Sequence, residues 1–222
     1  MLYLIPTPIG NLEDITYRAV RILSELDLLL AEDSRTTGKL LTHYGITVPV
    51  QSFHAFNEHK VLEGYLSQLK EGKNLGLVSD AGTPGISDPG FLLVRGAIEE
   101  DIEVTCLPGP TAIIPALVMS GLPSDKYFFE GFLPHKKGRK TRWEFLASLS
   151  CTIVLYESPH RIVKCINEAA EYLGPDRKVC ISREISKKFE ENIRGTASEV
   201  LEIIKEKGLK GEIVVCISGK LS

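Results

Sequence analysis

Two turns rich in glycine and proline could hold a ligand through backbone and side chains. Residues 79–90 read SDAGTPGISDPG after the apolar run 75–78, with a free carboxylate at Asp80, and residues 108–112 read PGPTA after a second apolar run. Neither turn fits G-x-G-x-x-G or the phosphate-loop pattern G-x-x-x-x-G-K-[ST]. The two turns favour a ligand with hydroxyls, an amine and a base but no phosphate. The alternative is a pair of rigid turns that merely collect Gly, Pro and Asp.

Charged side chains gather where other apolar runs end. Glu32, Asp33 and Arg35 follow residues 28–31, and residues 156–161 read YESPHR, which puts an acid, a hydroxyl, an imidazole and a guanidinium in one turn. Further charged residues border the late apolar runs: Arg183, Glu184, Lys210 and Glu212. We expect the later groups to form a second wall facing the first. For the cluster that includes Arg35, a substrate-binding candidate, a simple loop ion pair is the alternative.

The strongest basic run, residues 135–142, reads HKKGRKTR and has Phe132 and Trp143 at its flanks. Cations at the start of a helix oppose the helix dipole unless an anion is present, and a nucleic-acid phosphate would be such an anion. The run therefore supplies candidate phosphate contacts at Lys136, Lys137, Arg139, Lys140 and Arg142. A solvated loop is the alternative.

The elements that must position these groups alternate along the chain. Apolar runs and helical periodicity alternate up to residue 120, which predicts a parallel sheet with helical crossovers. The pattern restarts at residue 127, where short connections predict a mixed sheet. We expect an α/β protein with two lobes, residues 1–112 and 113–222. Residues 13–26 are expected to form one helix, and Asp88 is expected to cap the helix that begins with Pro89.

Composition limits the kinds of molecule that the protein is expected to bind and where in the cell it is expected to lie. The 222 residues carry a net charge of -3, so nucleic-acid binding must come from a local patch. The five cysteines are scattered without a C-x-x-C pair, and His54, Glu58 and His59 fit no zinc-protease spacing, so no metal is expected. No leader pattern is present and no apolar run approaches roughly 18 residues, so we expect a soluble, cytoplasmic protein.

Taken in order, these motifs are similar to those of the ribosomal RNA small subunit methyltransferase I family, a branch of the tetrapyrrole methylases with the class III methyltransferase fold. The resemblance runs nearly end to end and rests on residues 6–16, 32–35, 79–90, 107–110, 120–123, 131–134, 157–161, 183–184 and 210–212. Residues 53–57 read FHAFN where the family more usually has Tyr-His-x-His-Asn, so His54 would serve there. Longer members continue with a small helical segment, whereas this sequence ends at Ser222.

The resemblance implies S-adenosylmethionine (SAM) bound in a cleft between two lobes of a homodimer subunit. It implies methyl transfer to the 2′-hydroxyl of a cytidine in the decoding region of 16S rRNA. The motifs place the cofactor contacts at Asp80, Gly82, Thr83, Ile86, Thr111, Ala112, Tyr156, Glu157 and Glu212. The ribose hydroxyl benefits from a base or charge partner, for which the candidates are Asp33, Glu157, His160 and Glu184.

Two other functions stay open on the sequence. One is methylation of a small carboxylated substrate such as a tetrapyrrole, which the basic run could also attract. The other is a non-catalytic RNA- or nucleotide-binding protein with the same fold. Transfer of a labelled methyl group to small ribosomal subunits, but not to precorrins, would discriminate between them.

Overall fold

The computed structural model describes residues 1–54 and 58–220. Contacts divide the chain into two compact units, Met1–Thr111 and Ala112–Ser222. The sheet of the first unit is parallel and that of the second is mixed, so the expected α/β class is confirmed. Among the described residues, no helix has the length and apolar character needed to cross a membrane.

The first unit is built on a sheet with the strand order β3-β2-β4-β1-β5. Its strands are β1 (Leu2–Leu4), β2 (Leu28–Ala31), β3 (Val50–Ser52), β4 (Leu75–Val78) and β5 (Val104–Cys106). Its helices are α1 (Tyr17–Glu25), α2 (Ser34–His43), α3 (Glu58–Lys70) and α4 (Phe91–Glu99), with a turn of 3-10 helix at Leu12–Asp14. Because the paired strands run parallel, their carboxyl ends meet at one edge of the sheet.

Both faces of this sheet are covered by helices. Leu77 packs in an apolar cluster with residues of α3 and α4, whereas Val78 packs in a second cluster with residues of α1 and α2. Successive strand residues point to opposite faces, so the interior strands β2 and β4 are buried along their whole length. This burial explains why these two strands appear in the sequence as short continuous apolar runs.

The second unit is built on a sheet with the strand order β6-β7-β10-β8-β9, in which β6 and β7 are parallel and the other pairs antiparallel. Its strands are β6 (Tyr127–Phe132), β7 (Thr152–Glu157), β8 (Lys178–Arg183), β9 (Glu191–Thr196) and β10 (Ile213–Ile217). Its helices are α5 (Ile113–Ser120), α6 (Arg139–Ala147), α7 (Ile162–Leu173) and α8 (Ala197–Lys207). The main core lies between one face and α6, α7 and α8, while α5 packs on β8, β9 and β10.

The expected single helix over residues 13–26 is wrong. The Asn11 side chain accepts a hydrogen bond from the N–H of Glu13 and starts the 3-10 turn, after which Ile15 is extended. Thr16 then caps α1, because its Oγ1 accepts a hydrogen bond from the N–H of Ala19 at 3.1 Å. Two local caps therefore divide what hydrophobic periodicity presents as one helix.

The expected capping of α4 by Asp88 is also wrong. Gly90 occupies the N-cap position with φ 135° and has no side chain to bond the first turn. The N–H of Leu92 instead donates to Glu58 Oε1 at 3.1 Å. A carboxylate from α3 thus accepts a hydrogen bond from the first turn of α4, and Asp88 does not cap this helix.

Candidate functional site

Three loops of the first unit are held together at the carboxyl edge of its sheet. Thr7 and Gly82 exchange two backbone hydrogen bonds of 2.9 Å, which join the loops after β1 and β4. Thr7 Oγ1 also donates to the carbonyl of Ser79 at 3.2 Å. Thr83 Oγ1 donates to the carbonyl of Pro110 at 3.3 Å, which adds the loop after β5. The two glycine-proline turns therefore form one continuous backbone surface.

Glycine is required at two positions of this surface. Gly82 has φ 79°, a left-handed conformation that other residues rarely adopt. A Cβ atom on Gly109 would lie 2.7 Å from Cβ of Pro6, which is closer than real contacts allow. The loops after β1 and β5 can approach each other only because this position lacks a side chain.

Carboxylates gather at the same edge, after β2 and β4. The N–H of Asp33 donates to Asp80 Oδ1 at 3.1 Å, and the N–H of Asp80 bonds the carboxylate of Glu32. Burial raises the pKa of Glu32, and the charge of Asp80 raises it further. Burial, followed by the charge of Glu32, raises the pKa of Asp88 to about 6. The edge therefore offers concentrated negative charge to a cationic or hydrogen-bond-donating ligand.

Asp33 and Arg35 form the ion pair that was the alternative to a functional cluster. Arg35 Nη2 lies 2.7 Å from Asp33 Oδ2, and the N–H of Arg35 donates to Asp33 Oδ1 at 2.8 Å. The hydrogen bond from the Arg35 side chain, followed by that from its backbone, lowers the pKa of Asp33 to about 2. Asp33 therefore stays ionised near neutral pH and is a weak proton acceptor.

For the other predicted site residues of the first unit, the structure gives mainly their exposure. Asp80 and Ile86 are exposed, and Thr111 is partly buried. His54 is partly buried, while the rest of its motif, residues 55–57, lies outside the described residues. In the described parts of the chain, no group of three or more His, Cys, Asp or Glu side chains could hold a metal ion.

In the second unit, the acid of the YESPHR turn is enclosed by two arginines. Glu157 is 2% exposed, and its Oε1 lies 2.7 Å from Arg161 Nη2 and accepts the N–H of Ser158 at 2.8 Å. Its Oε2 lies 3.6 Å from Arg139 Nη2. The carboxylate is thus committed to holding the turn in place, which argues against its use as a base or as a cofactor contact.

Arg139, expected to contact an RNA phosphate, is corrected to an interior residue. It is 4% exposed, and its Nε donates to Glu168 Oε2 at 2.7 Å. Its Nη1 donates to the carbonyl of Pro134 at 3.0 Å, and Trp143 Nε1 donates to the same Glu168 oxygen at 2.9 Å. The first residue of α6 therefore links α6 to α7 and β7 and does not project from the surface.

The remaining cations of the basic run divide into two kinds. Lys136, Lys137 and Lys140 are exposed. Arg142 forms an ion pair with Glu130 and lies over the ring of Phe145 at 4.7 Å. The exposed lysines can meet an anionic partner, although Lys140 Nζ already lies 3.8 Å from Glu144 Oε1, whereas the Arg142 guanidinium is engaged with Glu130 within the protein.

The late charged residues form a second local network. Glu184 Oε1 accepts the N–H of Glu212 at 2.9 Å and lies 3.1 Å from Lys187 Nζ, which also lies 3.1 Å from Glu212 Oε2. The backbone bond from Glu212 and the charge of Lys187 lower the pKa of Glu184 despite partial burial. Glu184 therefore orders the entry to β10 and is a poor proton acceptor at neutral pH.

The YESPHR turn does not present its groups to one place. Tyr156 and Glu157 are consecutive strand residues, so their side chains lie on opposite faces of the sheet. The Glu157 side faces Arg139, while Tyr156 contacts Phe129 and Phe132 on the other side. His160 is exposed beyond the strand, and its backbone N–H donates to Ser158 Oγ at 3.2 Å.

Sequence reasoning missed two contributors to the first unit's edge. From the sequence, Asp88 is predicted to be a helix cap, and Thr7 is included only within the motif of residues 6–16. Asp88 lies in the same loop as Asp80, and a second acid in a ligand-edge loop is a usable signal. The role of Thr7 rests on bonds to Ser79 and Gly82, and no local pattern in the sequence indicates them.

Comparisons with known proteins agree along nearly the whole chain. The family described as Tetrapyrrole (Corrin/Porphyrin) Methylases matches residues 1–201. The ribosomal RNA small subunit methyltransferase I of Synechocystis sp. is 46% identical over 220 residues, covering 99% of this chain and 79% of the relative. The protein of that name from Thermotoga maritima is 46% identical over 219 residues, covering 99% of this chain and 98% of the relative.

Solved structures share the fold at lower identity. The cobalamin biosynthetic enzyme cobalt precorrin-4 methyltransferase, CbiF, has a TM-score of 0.71 and 19% identity, covering 98% of this chain and 94% of that chain. Uroporphyrin-III C-methyl transferase from Thermus thermophilus, complexed with S-adenyl homocysteine, has a TM-score of 0.66 and 18% identity, covering 98% and 96%. These likenesses establish the fold.

Proposed function

Since the chain belongs to the ribosomal RNA small subunit methyltransferase I family within the tetrapyrrole methylases, we propose that it is a SAM-dependent methyltransferase of small-subunit ribosomal RNA. The observation that carries the proposal is the 46% identity to a relative of that name, over 99% of this chain. The finer part of the proposal, the 2′-hydroxyl of a cytidine in the decoding region of 16S rRNA, rests on the ordered motifs. We also propose that the protein acts as a homodimer in the cytoplasm, which rests on the same resemblance.

The residues at the edge of the first sheet fit SAM chemically. Residues 6–11, 79–90 and 107–112 contain no Lys or Arg, so these loops lack a phosphate grip. The carboxylates of Glu32, Asp80 and Asp88 suit a ligand with an amine, hydroxyls and a cationic sulfur. We infer that Asp80, Gly82, Thr83 and Ile86 hold the cofactor there; Thr111, Ala112, Tyr156 and Glu212 stay predictions of the resemblance.

The chain itself must orient the ribose and receive its proton. Bound SAM supplies a methyl carbon that its sulfonium already activates, so positioning the two reactants could supply about 7–11 kcal/mol of the barrier reduction. Of the four expected bases, Asp33, Glu157 and Glu184 are engaged by cations. The exposed His160 is therefore the group that we assign to accept the ribose proton.

The test is transfer of labelled methyl from SAM to small ribosomal subunits that lack the modification. We expect the label in 16S rRNA, in a dinucleotide that resists alkali, because 2′-O-methylation removes the hydroxyl that attacks the neighbouring phosphate. Label on a base would contradict the 2′-hydroxyl assignment. Label only in precorrins would favour the tetrapyrrole alternative, and RNA binding without transfer would favour the non-catalytic one.

Two variants test the assigned roles, one by SAM binding and one by the rate of transfer. Asp80→Ala should weaken SAM binding in calorimetric titration, whereas Asp125→Ala, at an exposed position of the second unit, should not. His160→Gln should lower the rate of transfer roughly 10²- to 10⁴-fold, the range for a general base, with SAM affinity retained. Wild-type rates in His160→Gln would remove His160 from the mechanism.

A further inference from the structure

Three aromatic side chains lie together on one face of the second unit's sheet, on its β6–β7 side. The ring centroids of Phe129 and Tyr156 are 5.3 Å apart in an edge-to-face arrangement, and those of Phe132 and Tyr156 are 5.4 Å apart with a tilt of 43°. Phe132 is nevertheless 54% exposed. An aromatic surface is therefore left open to solvent at the end of β6.

A β-bulge brings Phe132 to this face. Residues three apart in a regular strand point to opposite faces, yet Phe129 and Phe132 both contact Tyr156. The register with β7 shifts between Phe129 and Gly131, and Gly131 has φ 71°, which a side chain rarely adopts. The extra residue reverses the alternation, as expected of a bulge that redirects a side chain. Glu130, the residue at the shift, bonds Arg142 of α6.

Leaving Phe132 exposed makes the fold less stable than burying it would, although the residues before and after it in sequence are buried. Gly131 and Leu133 are both buried, and Leu133 belongs to the main core of the unit. Burying a phenylalanine ring stabilises a fold relative to leaving the ring exposed. A bulge that turns the ring away from the core that holds Leu133 and leaves it in solvent is therefore better explained by an occupant than by folding.

The chemistry next to the ring indicates what the occupant is. His135, Lys136 and Lys137 are exposed and follow Phe132 within five residues. An unstacked nucleotide matches both features, because its base stacks on an aromatic ring and its phosphates bind ammonium groups. An apolar protein segment would use the ring alone and leave the cations unmatched.

We propose that Phe132, backed by Tyr156, is a stacking platform for one unpaired base of the RNA substrate, with the flanking phosphates on Lys136 and Lys137. The proposal deepens the proposed function and rests on it, since it requires an RNA substrate with an accessible single-stranded nucleotide. Phe132 holds no proton and touches no reacting bond in this role. It positions the strand and selects RNA that can present an unstacked base.

Affinity for unmodified small ribosomal subunits, measured beside SAM affinity by calorimetry, tests the platform. Phe132→Ala should weaken subunit binding roughly 5- to 100-fold, the range for stacking on one aromatic side chain, and leave SAM affinity unchanged. Phe132→Trp should retain binding, whereas Phe132→Leu should not, because leucine keeps apolar area but has no flat π-face. The matched control is Phe189→Ala, since Phe189 is 65% exposed in the same unit and its ring centroid lies 5.6 Å from Lys188 Nζ.

The outcomes separate the platform from the function on which it rests. If the wild-type protein methylates subunits but Phe132→Ala binds them as tightly as Phe189→Ala does, the platform is wrong and the function stands. A parallel loss of SAM affinity in Phe132→Ala would assign the ring to the cofactor and overturn the platform. A wild-type protein that neither binds nor methylates subunits would overturn the proposed function and the platform with it.

Discussion

At the scale of single residues, Asp88 shows how burial changes the behaviour of a carboxyl group. Burial first, and then the charge of Glu32, raises its pKa from 3.8 to about 6, while a hydrogen bond from Ser79 opposes the rise. The folded protein therefore binds more protons than the unfolded chain between those values. By linkage, the contribution of Asp88 to stability is present at low pH and is lost as pH rises through about 6.

Replacing Asp88 with asparagine is expected to stabilise the protein at neutral pH. Asparagine carries no charge to desolvate, so Asp88→Asn should raise the free energy of unfolding at pH 8 by about 1–2 kcal/mol, allowing for the solvent that screens a half-buried group. The difference should vanish below pH 4. Urea unfolding across this range provides the measurement, with Asp125→Asn as an exposed control. A gain that is equal at all pH values would contradict the assigned cause.

At the scale of elements, a buried ionic network positions the YESPHR turn. Arg139 begins α6, Glu157 ends β7 and Glu168 lies on α7, so their contacts join three elements of one unit. Each charge in such a network depends on the others, because an unpaired buried charge is costly. The network therefore fixes the strand end that precedes His160.

Removal of Arg139 should destabilise the fold far more than removal of its neighbour in sequence. Arg139→Ala leaves Glu157 and Glu168 without their shared guanidinium and should lower the free energy of unfolding by about 3–5 kcal/mol. Lys140→Ala, at an exposed position one residue later, should change it by less than about 0.5 kcal/mol. Thermal and denaturant unfolding measure both. Equal stabilities would show that the interior pairing of Arg139 is not formed in solution.

At the scale of the whole molecule, charge is distributed unevenly. The chain has a net charge of -3, yet the exposed residues Lys136, Lys137 and Lys140 follow Phe132 closely in sequence and belong to the basic run. A local patch on an acidic protein can attract a polyanion only over a short range, because salt screens charges beyond about 8–10 Å. Affinity for RNA is therefore expected to depend strongly on ionic strength.

Neutralising this patch should flatten that dependence. In a variant with Lys136, Lys137 and Lys140 changed to alanine, the slope of log affinity against log salt should fall by roughly 0.7 to 0.9 for each RNA phosphate that the protein no longer neutralises. SAM affinity should stay at the wild-type value. Lys205→Ala, in the exposed last turn of α8, is the control. If the triple variant keeps the wild-type slope, the three lysines do not contact RNA phosphates and are only solvated surface residues.

Much of the fold could be predicted from the sequence, because its interior strands β2, β4 and β10 are short apolar runs and its helices have periodic faces. The parallel sheet of the first unit followed from the alternation of strands and helices, and the mixed sheet of the second from its short connections. Helix starts were harder, since α4 is capped by Glu58, more than thirty residues earlier in the chain. No local pattern indicates a cap that another helix supplies.

The sequence predicted which loops form the candidate site but not what each residue does in it. The turns after β4 and β5 were identified from their glycines and prolines, and their joining through Thr83 and Pro110 fits the expected common edge. Arg139 was misassigned because its neighbours are solvated cations, whereas its partner Glu168 lies 29 residues away. Whether an arginine faces solvent or an interior carboxylate depends on tertiary packing.

The position of β1 between β4 and β5 has a consequence for synthesis. Leu2 pairs with Leu75 of β4 on one side and with Val104 of β5 on the other. At translation rates of about 5–20 residues per second, this apolar strand waits about 5–20 s for its second neighbour. The nascent chain therefore carries an incompletely paired interior strand that chaperones can bind. Because the loops after β1, β4 and β5 meet only once that pairing is complete, the ligand edge is among the last features of the first unit to assemble.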